Sequence, residues 1–410
     1  MKYLWVLLIC FPHQLLSATY RITGITSSIE AVQHLLDQCA PFDTIRINSG
    51  TYKWHDLIVN KPLYIEGDGQ PILDGENLGN VITVKSSDVT LKNIHVKNSA
   101  PSSYSDPAGI KIESGENIQV LDCIIENCLF GIYYSDVSGG LIRGNHIYSN
   151  KTTETASGNG IHLWKCKDIA IRGNIINGHR DGIYLEFTTH SVISGNISQN
   201  NIRYGLHFMF SHQDSYIKNT FRNNGAGVAV MYTKGVKMVE NNFIDNSGTS
   251  SYGLLLKDIT DSKIIRNHFT NNTCAITMEE CNRINVQKNT FERNGWAMRI
   301  QASCSDNNIQ WNNFFGNTFD ITTNGTLVMN TFNSNYWDKY TGYDLNRDQT
   351  GDVPYHPVSM YAVIVDQIPV AMILYRSFVV TLLEQMEKII PSITPAQLID
   401  RTPRMKPVAI

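Results

Sequence analysis

Along most of the chain, apolar and polar residues alternate in short runs that each follow a glycine or an alanine. In residues 205–212, GLHFMFSH, the alternation places Leu206, Phe208 and Phe210 on one side of a strand and His207 and Met209 on the other. Equivalent runs start at Gly131-Ile132, Gly160-Ile161, Gly182-Ile183, Gly227-Val228, Gly253-Leu254, Ala275-Ile276 and Ala297-Met298. Between them stands a second motif, Asn-x-[Ile/Phe]-x-x-Asn, starting at Asn145, Asn219, Asn241, Asn267, Asn289, Asn312 and Asn330, with degenerate copies at Asn174 and Asn196. The starts at 174, 196, 219 and 241 are 22, 23 and 22 residues apart, which is the signature of a stacked repeat.

Such a period suits a leucine-rich repeat or a parallel β-helix. A leucine-rich repeat needs a Leu-dominated unit, whereas these units are β-branched or aromatic runs separated by Asn and Gly. The fold class is therefore all-β, a right-handed parallel β-helix of ~22–23-residue coils with an N-terminal capping helix and a C-terminal helical tail. About a dozen coils at ~4.8 Å each make a rod of roughly 60 Å. The recurring Asn has a structural role, since stacked amides at a bend can bond their copies above and below. Cys123 and Cys128 sit 22 residues before Asn145 and Asn150 and read as buried fillers of the same slots. Two intervals break the beat: Gly131 to Gly160 is 29 and Gly227 to Gly253 is 26, so loops should bulge at residues 151–157 and near 248–251.

The organisation that follows has five parts. Residues 1–18 read as an export signal: Lys2, an apolar run and then the small residues Ser17 and Ala18. Residues 19–41 form an N-terminal cap whose helix has a Ser start and Ile29, Val32, Leu35 and Leu36 on one face. Residues 42–335 are the rod, 336–357 an Asp/Asn-rich junction, and 358–410 an apolar helical tail. Asp366, Pro369 and Arg376 interrupt that tail before it could span a bilayer, so a lid over the rod or a docking element are the two readings. Phe378, Leu382, Leu383, Met386, Ile389 and Ile390 share one helical face and would do the docking.

Charge and cysteine content narrow the partners. A net charge of −3 leaves no basic footprint for nucleic acid. Without the signal seven cysteines remain, lacking CxxC spacing; Cys281 and Cys304, 23 apart, are neighbours on adjacent coils, where a disulfide is one option. In the junction, Asp344, Asn346, Asp348 and Asp352 alternate like a calcium loop, but the twelfth position is Tyr355 where a bidentate Glu belongs, so a plain Asx-rich turn competes.

Exported β-helices are often polysaccharide-active, so an enzymatic reading requires the matching catalytic groups. Pectin-type hydrolysis needs paired carboxylates, and no Asp-Asp occurs; Asp181 in GHRDG meets Arg203 or Tyr204 one coil on. The Asp-Pro-His-Asp sequence of uronate epimerases is also absent. A polysaccharide lyase or epimerase stays the runner-up, and a non-catalytic carbohydrate-binding β-helix a further alternative. On the open face of the strands, Met209 and Met231 become neighbours, with His207 beside Met209 and Glu186 one coil below. His190 and His212, 22 apart, would stack at the following turn. Thioether and imidazole together suit Cu(I), and an exposed Met stripe equally suits a protein partner.

The GNHIYSN-type coils, the junction NSNYWDKYTGYDLNRDQTGDVPYHPVS and the tail VVTLLEQMEKIIPSITPAQLIDRTPRMKP resemble the NosD family, periplasmic accessory proteins for maturation of nitrous oxide reductase. The resemblance covers essentially the whole mature chain, and the junction and tail are its specific part. It implies a non-enzymatic periplasmic platform that works with an ABC-type ATPase and permease pair. The tail would dock on the permease, the sole link to the membrane. The rod would engage the reductase or a copper chaperone, with copper bound transiently for the copper–sulfur cluster. It identifies no ligands, and DLNRDQTGD is less acidic and less Gly-rich than the family's usual version.

Overall fold

The computed structural model describes residues 17–24, 28–101, 105–249, 251–325, 329–389 and 398–410. The export signal read over residues 1–18 falls almost wholly outside them. Three parallel sheets of 14, 13 and 12 strands wrap one continuous apolar core, so the chain is an all-β parallel β-helix. Each coil gives one short strand to each sheet, as with Val192–Ser194, Ile197–Gln199 and Tyr204–Met209, and the next coil supplies the hydrogen-bonding partner.

The repeat motif explains the stacking residue by residue. Asn174, Asn196, Asn219, Asn241, Asn267, Asn289 and Asn312 each donate from backbone N and Nδ2 to the side-chain oxygen of the Asn one coil on, at 2.9–3.0 Å. Both polar ends of a fully buried amide are thereby satisfied. The last member is Asn335, so the motif copy at Asn330 is out of frame: Asn330 instead continues the column of Asn307. The motif's aromatic position fills the core with a second stack, Phe221, Phe243, Phe269, Phe291, Phe314 and Trp337, whose ring centroids step by 4.1–5.5 Å. Glycine recurs where the third sheet begins because the coils touch there. A Cβ on Gly205 would stand 2.7 Å from the carbonyl oxygen of Gly227.

Both ends of the rod are closed. Helix α1 (Ile29–Gln38) starts at Ser28, whose side chain accepts from Ala31 N, and buries Val32 and Leu36. Its Gln33 amide pairs with both backbone groups of Ile58, on the first strand of the third sheet. An unforeseen strand, Thr19–Ile22, extends the first sheet by one member. At the far end, helix α2 (Met360–Gln367), a 3₁₀ turn (Pro369–Leu374) and helix α3 (Phe378–Ile389) fold back on the last third-sheet strand, with Tyr361, Ala362, Val365 and Val380 packed around Phe319. The tail is not helical to its end. Residues 398–410 run as an extended strap that bridges Phe332, Tyr336, Thr350 and Tyr355 through Asp400 and Arg404.

The connections between second- and third-sheet strands are short in most coils. They lengthen after Ile72–Asp74, His95–Lys97, His146–Tyr148 and Asn242–Ile244, and the last two are the loops that the broken beat marks. All four stand at the same turn and so flank one edge of the third sheet.

Candidate functional site

The outer face of the third sheet carries two columns of side chains in register. One runs Tyr133, His162, Tyr184, His207, Ala229 and Leu255; the other runs Ser135, Trp164, Glu186, Met209, Met231, Lys257 and Glu279. Behind them Leu206 and Phe208 are fully buried in the core. Glu186, Met209 and Met231 are thus direct neighbours on successive coils. Met209 and Met231 are half-buried, and Tyr184 Oη lies 3.6 Å from the Met209 sulfur.

His207 shares the outward side but is far from open, at 5% exposure. The rings of Tyr184 and Tyr204 close on it at 4.8 and 4.9 Å. Its Nδ1 stands 3.7 Å from Oδ2 of the buried Asp181, while Arg203 Nε is 3.5 Å from Oδ1 of the same carboxylate. Neither imidazole nitrogen of His207 has a hydrogen-bond partner. Asp181 pairs in register with Tyr204, so no second carboxylate joins it one coil on.

Two placements, one read from alternation and one from spacing, are corrected. Phe210 is not in the core. The strand ends at Met209, and Phe210 turns out with φ 51° to 37% exposure. There it stacks between Phe187 and Tyr232, at centroid distances of 5.3 and 5.1 Å, forming an outward aromatic ladder beside the Met pair. Its spacing of 23 and 22 residues, one place after Glu186, Met209 and Met231, carried that signal in the sequence. His190 and His212 are not register partners either. The coil there is 23 long, so Thr189 pairs with His212, and His190, at φ 57°, lies one place out of register with it. His212 Nδ1 accepts from Lys234 N at 3.3 Å, and burial together with the Lys234 charge holds its pKa below the usual imidazole value.

In the junction the four oxygen-bearing residues serve their own loop. Asp344 accepts from the backbone N of Asp348 and Gln349, Asn346 from Asp348 N, Asp348 from Thr350 N, and Asp352 from Leu345 N. Among the described residues no three His, Cys, Asp or Glu side chains converge as a metal cage. Cys281 and Cys304 are adjacent, Cys281 N donating to Cys304 Sγ at 3.4 Å, and both thiols are free and buried.

The tail presents an apolar surface. Phe378 is 80% exposed, and Leu382 and Met386 lie on the same exposed side of α3, whereas Leu383 packs inward against the Phe319 cluster. Val370 and Ile373, on the 3₁₀ turn, are exposed as well and had no helical periodicity to mark them. Ile390 lies outside the described residues, as does the side chain of Ile389. No described helix is long and apolar enough to cross a membrane.

Residues 143–342 match the sequence family described as "Periplasmic copper-binding protein (NosD)". Two curated proteins called "Probable ABC transporter binding protein NosD" are similar. That of Pseudomonas aeruginosa is 26% identical over 86% of this chain and 86% of its own length. That of Stutzerimonas stutzeri is 23% identical over 88% and 86%. Among solved structures, the catalytic unit of an α-1,3-glucanase from Streptomyces thermodiastaticus superposes with a TM-score of 0.62 at 13% identity, over 79% of this chain and 69% of that one. A surface adhesin of Streptococcus pneumoniae gives 0.55 at 12%, over 75% and 94%. These two share the β-helix fold, whereas the sequence relatives bear out the resemblance to the NosD family.

Proposed function

We propose that this chain, a relative of the NosD proteins, is the periplasmic rod of an ABC-transporter-linked machine that matures the copper–sulfur site of nitrous oxide reductase. The observation that carries the reading is the division of the tail into two sides. One side seals the rod through Tyr361, Val365 and Val380; the other leaves Val370, Ile373, Phe378, Leu382 and Met386 uncovered. A lid alone needs only the sealing side. The uncovered side is an anchor for the permease, matching the relatives' description as transporter binding proteins.

On the rod, the partner face is the Met209–Met231 pair together with Phe187, Phe210 and Tyr232. Copper is the cargo in this reading. The two half-buried thioethers are a soft donor pair that suits brief contact with Cu(I), with Glu186 beside them and the unpartnered His207 imidazole enclosed behind Tyr184 and Tyr204. His190 and His212 add at most a flanking donor, because His212 Nδ1 already accepts from Lys234 N. The junction oxygens play no part in this account, being turned to their own backbone.

Exchanging Ile373, Phe378 and Leu382 for Asp tests the anchor. The folded rod should then no longer co-purify with the ATPase and permease, and retained association would overturn the reading. Point substitutions are preferable to cutting the chain after Pro357, because truncation also removes the strap that closes the rod.

A further inference from the structure

Toward the N-terminal end of the same sheet face lies a depression of about 450 Å³, separate from the Met pair. Ser135 stands in register beside Trp164, and its small side chain leaves room next to the indole. Asp106, Lys111, Glu113, Tyr133, His162 and Glu186 complete the lining. The volume is that of a small-molecule site.

The polar groups in it are set with unusual definition. Arg180 Nη2 donates to Asn159 Oδ1 at 3.2 Å, and because a guanidinium only donates, this fixes which end of the amide is oxygen. Asn159 Nδ2 then faces His162 Nδ1 at 3.0 Å and donates to it. The imidazole must therefore carry its proton on Nε2. Burial, helped by the Arg180 charge, pushes the His162 pKa down to about 3, so the ring stays neutral. Nε2–H has no acceptor, although His162 is only 8% exposed. An unpartnered donor at such burial is costly, and a bound oxygen atom would relieve it.

The acceptors are also idle. Neither Asp106 nor Glu186 enters an ion pair among the described residues. Glu113 is taken up by Lys85, which leaves the carboxylates of Asp106 and Glu186 against the ammonium groups of Lys111 and Lys165, a balance with no excess positive charge to hold a polyanion. A cation is disfavoured too, because Lys111 lies 5.4 Å over Tyr133 and Lys165 4.3 Å over Trp164. What remains is an uncharged ligand with both hydroxyl donors and oxygen acceptors and one flat apolar side to lie against the indole. We propose that this depression binds a neutral pyranose oligomer, with a sugar ring beside Trp164, an oxygen on His162 Nε2 and hydroxyls on Asp106 and Glu186. The site is independent of the docking tail and shares only Glu186 with the Met face, so Trp164→Ala, which alters neither Met209 nor Met231, separates it from the function proposed above.

Saturation-transfer NMR and calorimetry on the full chain, with cellohexaose, chitohexaose and a hexauronate as probes, test this. At least one neutral hexamer should bind and the hexauronate should not. Trp164→Ala should weaken binding about tenfold. Glu186→Gln and His162→Phe should each weaken it severalfold, and Trp311→Ala, on a distant turn, should leave it unchanged. Unaltered melting of Glu186→Gln, an exchange on the outer face, separates loss of binding from loss of fold. No binding of either neutral hexamer at millimolar concentration, preference for the hexauronate, or equal binding by Trp164→Ala would each overturn the proposal.

Discussion

Asn335 donates its backbone N–H and its Nδ2 to one oxygen of Asp400, at 3.0 and 3.1 Å. That oxygen also accepts from Trp337 Nε1 at 3.1 Å, so a single buried carboxylate ends both the asparagine ladder and the aromatic stack. Every earlier Asn finds its acceptor in the next coil, and the last one finds it in the strap 65 residues on.

Asp400→Ala should therefore destabilise far more than a surface change. It leaves the Asn335 and Trp337 donors buried without an acceptor, at about 1–3 kcal/mol for each unsatisfied group, and a loss of at least about 3 kcal/mol is expected. Denaturant unfolding measures it, and Asp400→Asn, which keeps one carbonyl oxygen, should lose less.

Asp214 gives the rod a pH dependence. Burial pushes its carboxyl up to about 8, although Ser191 N donates to it, and its Oδ2 has no partner. In the unfolded chain the group loses its proton near the ordinary value of 3.8. Between these two values the folded state holds the extra proton, so the contribution of this carboxyl to stability is greatest below about 4, falls as pH rises, and levels off above about 8. Asp214→Asn should flatten that slope, melting higher than the natural chain at pH 8 and with little difference at pH 4. Parallel melting curves of the two chains across this range would contradict it.

Much of this was legible in the sequence. The period of 22–23 follows from the Asn and Gly columns alone, and the facing of Leu206 and Phe208 follows from alternation. Alternation does not say where a strand stops. Phe210 continues the apolar pattern, yet the chain has already turned, and one positive φ moves the ring from core to surface. His190 and His212 fail for a related reason, since a coil of 23 shifts their register by one. Asp400 belongs to no repeat and carries no periodic mark. The His162 donor depends on Asn159 and Arg180, which the fold brings together from neighbouring coils.

The Met pair separates two roles. Met209→Leu with Met231→Leu keeps apolar bulk and removes both thioethers. If sulfur contacts copper, reductase from such cells should carry much less copper, while binding of the rod to the reductase persists. Phe210→Asp should instead weaken that binding by interrupting the stack with Phe187 and Tyr232. Normal copper content in the double Leu variant would remove Met209 and Met231 from the copper path.

If the rod serves as proposed, the reductase's copper–sulfur site is not built without it. The most direct measurement is the copper content and cluster absorption of nitrous oxide reductase purified from cells lacking only this chain. The reductase should be normally abundant and exported but without the cluster, which the natural chain should restore and the Ile373, Phe378 and Leu382 substitution should not. A fully loaded cluster in the deleted cells would contradict it.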